Sequence, residues 1–140
     1  MFQPTREQVR QFFFDSWRKH RRGEPLVGLE VVAVDIMRMH PEYHAALDDT
    51  ERSRDRDYGP EEGESNPFLH LSLHLAIEEQ LAIDQPPGIC AEFERIAAQC
   101  GDRHDASHVV LECLGEAIWQ GQRLGTGPDA AAYLDCVRRR

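Results

Sequence analysis

Apolar positions recur at helical spacing almost throughout this chain. Thr5 and Gln8 form a capping box, after which Val9, Phe12, Phe13, Trp17 and His20 follow on one face. Gly23 is placed to end that helix. A second helix is predicted from about Pro25, with Leu29, Val32, Ala33 and Ile36 as its stripe. Pro41 should kink or restart it, because the residue before a proline avoids the α region. The run DDTERSRDRDYGPEEGES then reads as an acidic loop at about 49–65, a solvated linker that could also serve as a lid or partner surface. Asn66-Pro67 opens a third helix, an N-cap followed by proline at the first helical position. The stretch DQPPG closes it. A short helix over about 89–100 follows. A longer one runs from Gly101-Asp102 to about Arg123, and a last one opens at Pro128. No run reads as a strand. The short late connections favour antiparallel neighbours. The expected fold is all-α, an antiparallel bundle of five or six helices in a single domain spanning 1–140.

Composition narrows the function classes. The net charge of −9 disfavours a nucleic-acid partner, since neutralising phosphates needs a basic surface. Arg18, Lys19, Arg21 and Arg22, and residues 138–140, are basic but fall at expected helix C-termini, where they offset the helix dipole. The stretch MFQPTREQVRQFFFDSW has no apolar h-region, and no apolar run approaches membrane-spanning length. The expectations are therefore a cytoplasmic location and no membrane partner. Cys90, Cys100, Cys113 and Cys136 form no C-x-x-C pair and are expected to be free thiols, mostly packing residues.

Three segments carry the chemistry: HPEYHAALD (40–48), HLSLHLAIE (70–78) and HDASHVVLE (104–112). Each is H-x3-H-x3-D/E. Seven histidines scattered at random over this length give only about 0.3 pairs at i, i+4 spacing. On a helix turning about 100° per residue, His74 lies about 40° from His70, and Glu78 about 80°. Leucine and isoleucine flank both histidines, while Ser72 and Glu79 lie opposite. His40 and His44 align in the same way with Ala33, Ile36 and Leu47, and His104 and His108 with Leu111, Gly115 and Ile118. If three such faces converge, six imidazoles meet in one core.

Side chains four apart on a helix are neighbours, so H-x3-H can chelate one ion, and bundles build metal sites from inward-facing histidine and carboxylate. The candidate ligands are His40, His44, His70, His74, Glu78, His104, His108 and Glu112. Glu78 and Glu112 are ligands or partners of the outer ring nitrogens, and Asp48 is a weaker candidate. Imidazole with carboxylate suits iron, zinc or manganese as the divalent cofactor. The bland alternative is that histidine and acid pair for helix stability alone. His20 lacks such a partner and is expected to cap or pack.

The stretches FFFDSWRKH, HPEYHAALDD, NPFLHLSLHLAIEEQLAIDQPPGI and LGEAIWQGQRLGTGPDAAAYLDC resemble the bacterial family catalogued as domain of unknown function 1841, over essentially the whole chain. The resemblance implies a small bacterial protein and supplies no activity. More distantly, the repeated H-x3-H spacing is similar to that of hemerythrin-like non-haem metal bundles. The leading functional expectation is a metal-binding helical protein, with a non-haem metalloenzyme as its catalytic form. A non-enzymatic interaction module with a pH-sensitive histidine–acid core is the alternative. A metal-dependent phosphohydrolase of the HD type ranks lower. It rests on His104-Asp105 alone, and Asp105 points about 100° away from His104.

Overall fold

The structure, a computed structural model, describes residues 5–58 and 66–140. Every regular element among them is helical: α1 (Arg6–Arg22), α2 (Leu29–Arg38), a 3-10 turn (Pro41–Tyr43), α3 (His44–Asp48), α4 (Thr50–Arg54), α5 (Pro67–Ile83), α6 (Ile89–Cys100), α7 (Arg103–Leu124) and α8 (Ala130–Arg138). The all-α class holds. The helices outnumber the five or six expected because the chain between α2 and α5 is broken into short pieces. None of these helices is long and apolar enough to cross a membrane. The chain divides into two compact units, Met1–Leu75 and Ala76–Arg140.

In the first unit, α1 begins as its sequence dictates. Thr5 accepts from the Gln8 N–H, the Gln8 side chain returns to the Thr5 N–H, and Gly23 ends the helix in the left-handed region at φ 69°. α2 begins four residues later than Pro25. Gly28 sits at φ 57°, which a helix cannot continue through, and the Glu30 carboxylate accepts the Val27 N–H at 3.0 Å. Phe13, Phe14, Trp17, Ala33, Ile36, Met37, Leu47, Phe68 and Leu71 form the core.

Within that core lies a cation. Arg10 is only 3 % exposed, and its Nη1 is 2.9–3.1 Å from the carbonyls of Ser53, Arg54 and Arg56. Two N–H bonds serve three acceptors, so at least one is shared. The guanidinium also lies 4.7 Å from the centre of the Phe68 ring. These contacts organise the first part of the expected loop. Asp49 accepts from the Arg52 N–H and caps α4, and Ser53 is buried. The rest of the expected acidic loop, residues 59–65, lies outside the described residues.

In the second unit, the two-residue connection at Gly101-Asp102 brings α7 back against α6, and α8 packs on both. Phe93, Val110 and Val137 are completely buried. Gly121 has a steric role. A Cβ there would sit 2.8 Å from the Gly127 carbonyl oxygen, a backbone atom of the turn into α8. Gly121→Ala is expected to cost about 1–3 kcal/mol in urea denaturation. An unchanged midpoint would show that the turn yields freely.

The expectation of four free thiols is corrected. Cys113 on α7 and Cys136 on α8 form a disulfide, with Cα atoms 5.7 Å apart. Sequence spacing could not show this pair, because the α7–α8 turn makes it. Cys90 and Cys100 are free. Such a bond persists in oxidising compartments, and in a reducing cytoplasm the same residues stand as two thiols. With 23 residues of sequence separation, closing the loop stabilises by about 3 kcal/mol in the chain-entropy account. Denaturation with and without reductant should show that difference. No change would mean the bond does not form in solution.

Candidate metal centre

Pro41 creates the first ligand position. The helix cannot pass through the residue before it, so His40 leaves α2 at φ −124°, ψ 68°. Its ring folds back over the last turn, where Nδ1 lies 2.7 Å from the Ile36 carbonyl. A carbonyl can only accept, so Nδ1 carries the proton there. In the neutral ring, Nε2 then presents a lone pair. His40 is 3 % exposed.

α5 supplies the next two. Asn66 accepts from the N–H groups of Phe68 and Leu69 at 3.0 and 3.2 Å, so the helix starts where the sequence says. Its buried line runs Phe68, Leu71, His74, Ile77, and His74 is 3 % exposed within that line. Leu69, expected on an apolar flank, is exposed. His70 and His74 come together as the i, i+4 spacing requires, with Nε2 atoms 3.1 Å apart. His70 Nε2 is also 3.1 Å from His40 Nε2. Ligand nitrogens of all three rings lie within 4.8 Å of one another.

This arrangement has a proton problem that a bound cation would solve. His70 Nε2 faces two other Nε2 atoms, and one N–H can point at only one of them. Protonating further rings would crowd positive charges at contact distance. Nitrogens bound to one tetrahedral zinc ion at about 2.0–2.1 Å lie about 3.3–3.4 Å from each other. Both contacts, at 3.1 Å, are slightly shorter than that spacing, so a small outward shift of the rings would seat such an ion.

The remaining candidates are placed as follows. His44 is turned away, although it stands one turn after His40 in sequence. Its Nε2 donates to the Met37 carbonyl at 2.8 Å, and its ring lies 4.5 Å from that of Trp17. The expected shared face fails here because Pro41 interrupts the helix that would have carried both rings. His104 and His108 do meet on α7, with ring centres 4.4 Å apart in the second unit. Each i+4 acid has an arginine. Asp48 accepts from Arg21 and from the Trp17 indole, Glu78 pairs with Arg103 at 3.3 Å, and Glu112 pairs with Arg140 at 3.2 Å. Burial raises the Asp48 pKa, but the hydrogen bonds from Arg21 and Trp17 outweigh it, so the carboxyl stays below its ordinary range. The periodic acids are thus accounted for as counter-ions. His20 packs its ring 5.1 Å from Trp17, in line with its expected packing role.

Tyr43 is a member of the site that sequence periodicity does not reveal. Its ring is stacked on His40 at 5.5 Å with an 8° interplanar angle, and it meets the edge of His70 at 5.8 Å. Burial pushes its hydroxyl pKa upward, and the adjacent Glu42 adds to this. The only sequence signal was its position between the two histidines of HPEYH.

Fold and site together define a helical protein with a cluster of imidazoles in its interior. The chain belongs to the family described as Domain of unknown function (DUF1841), whose profile matches residues 5–139. No curated protein and no solved structure matches it.

Proposed function

We propose that this protein binds a divalent transition metal through His40, His70 and His74. The convergence of their ring nitrogens carries the reading. The second H-x3-H pair, His104 and His108, is the proposed source of further nitrogen ligands, on the strength of the repeated sequence pattern alone. Glu78 and Glu112 are left out of the ligand set because arginines hold them. An all-imidazole set favours zinc or iron over manganese, which prefers oxygen donors. With His40, His70 and His74 as the whole protein set, a coordination position stays open for water or a substrate, the arrangement that metalloenzymes use, whereas a ligand from the second pair would fill it. The likeness to hemerythrin-like bundles rests on H-x3-H spacing alone.

Elemental analysis of protein purified without a histidine tag tests the reading. About one equivalent of zinc or iron is the expected result, with His74→Ala reducing it to background. The ligand nitrogens must be deprotonated, so metal content should fall as pH drops through about 6.5. A chain that neither retains nor takes up metal would leave the imidazoles as a polar core, the non-enzymatic alternative.

A further inference from the structure

Tyr43 has a second face. Besides stacking on His40, it lines a cleft of about 560 Å³ formed entirely within the first unit. That volume lies in the range of small-molecule sites. Arg52 in α4 and Arg56 just beyond its end line the cleft, with Tyr43 and Tyr58 as aromatic lining residues. Glu42 and Asp49 also line it, so charge alone does not define its ligand.

Asp49 is engaged at the start of α4, where its Oδ1 takes the Arg52 N–H. The Arg56 guanidinium lies 4.8 Å from the centre of the Tyr58 ring. The backbone beneath is pinned from α1. Arg6 donates to the Arg56 carbonyl at 2.6 Å, and buried Arg10 holds the carbonyls of Ser53, Arg54 and Arg56. The Arg10 side chain hydrogen-bonds only carbonyls among the described residues, and Asp55 and Asp57 lie close enough to offset part of its charge. A buried cation spent on a polar segment fixes the geometry of that segment. The guanidinium is the side chain whose planar fork matches an oxyanion.

We propose that this cleft binds a small organic anion, with a carboxylate or phosphate head held by Arg52 and Arg56 and a flat body between Tyr43 and Tyr58. Tyr43 is the shared wall between this anion and the histidine cluster. That the anion is the substrate of a metal centre rests on the metal reading, whereas the cleft itself does not.

The experiment titrates chelator-treated, untagged full-length protein with benzoate and with phenyl phosphate, followed by calorimetry and by shifts of tyrosine ring resonances. Saturable binding of at least one probe is expected, and the preferred probe identifies the head group. Arg52→Ala and Arg56→Ala should each weaken it at least tenfold, with unchanged circular dichroism. Arg52→Lys should recover part of the loss. Because the protein is metal-free in this titration, failure of metal loading leaves the result intact. Absence of saturable binding by either probe, or binding by both alanine variants equal to the parent, would overturn the proposal.

Discussion

Zinc or iron(II) added to the untagged, chelator-treated protein is expected to raise its melting temperature by about 10 °C, and His40→Ala or His74→Ala to remove the rise. The size follows from mass action. A ligand present at about a thousand times its dissociation constant stabilises the native state by about 4 kcal/mol. In a domain of this length, 1 kcal/mol is worth about 2–4 °C. His40 and His74 are the sensitive positions because both are buried and both aim ring nitrogens into the cluster. His44→Ala is the internal control. It removes the bond to the Met37 carbonyl and the contact with Trp17, so it should lower stability with and without metal, yet keep the metal-induced rise. Reversed sensitivities, with His44→Ala abolishing the rise and His74→Ala sparing it, would refute the assignment of ligands.

Replacing Arg10 is expected to have the second-largest effect. Arg10→Leu should lower stability by about 3 kcal/mol. Hydrogen bonds from a charged donor contribute about 1.5–3 kcal/mol each, and the change strands buried carbonyls at the end of α4. Arg10→Lys separates charge from shape. Lysine keeps the cation but lacks the planar fork that reaches several acceptors, so it should recover less than half of the loss. The damage should be local as well as global, with faster amide exchange over residues 50–58. Burial lowers the Arg10 pKa, but an arginine remains protonated at every working pH, so the effect should show little pH dependence. A change below about 0.5 kcal/mol for Arg10→Leu, the range of ordinary surface substitutions, would mean that water replaces the lost bonds without cost.

The two predictions differ in how far the chain announced them. The histidine cluster was legible because i, i+4 spacing is a property of the helix itself. Once α5 exists, His70 and His74 must be neighbours. Arg10 gave no such signal. It lies one residue beyond Val9 in an amphipathic helix, where arginine normally reaches solvent. Its burial depends on α4 folding over it, and α4 lies in a stretch whose composition reads as a linker. The same holds for Tyr43, whose role comes from the way Pro41 turns the chain.

Sequence alone determined the helical class, the capped starts of α1, α5 and α7, the glycine stop of α1, and the pairing of His70 with His74 and of His104 with His108. All of these depend on interactions over a few residues, which spacing and capping chemistry specify. Tertiary structure decided what happens between elements. It separated His40 from His44 at a proline, directed Asp48, Glu78 and Glu112 to arginines, joined Cys113 to Cys136, and drove Arg10 beneath residues 53–56. The physical reason is that a side chain's partner is chosen by competition among all groups within reach. Periodicity fixes the helical face a group occupies, and only packing determines whether a carbonyl, an arginine or another imidazole meets it there.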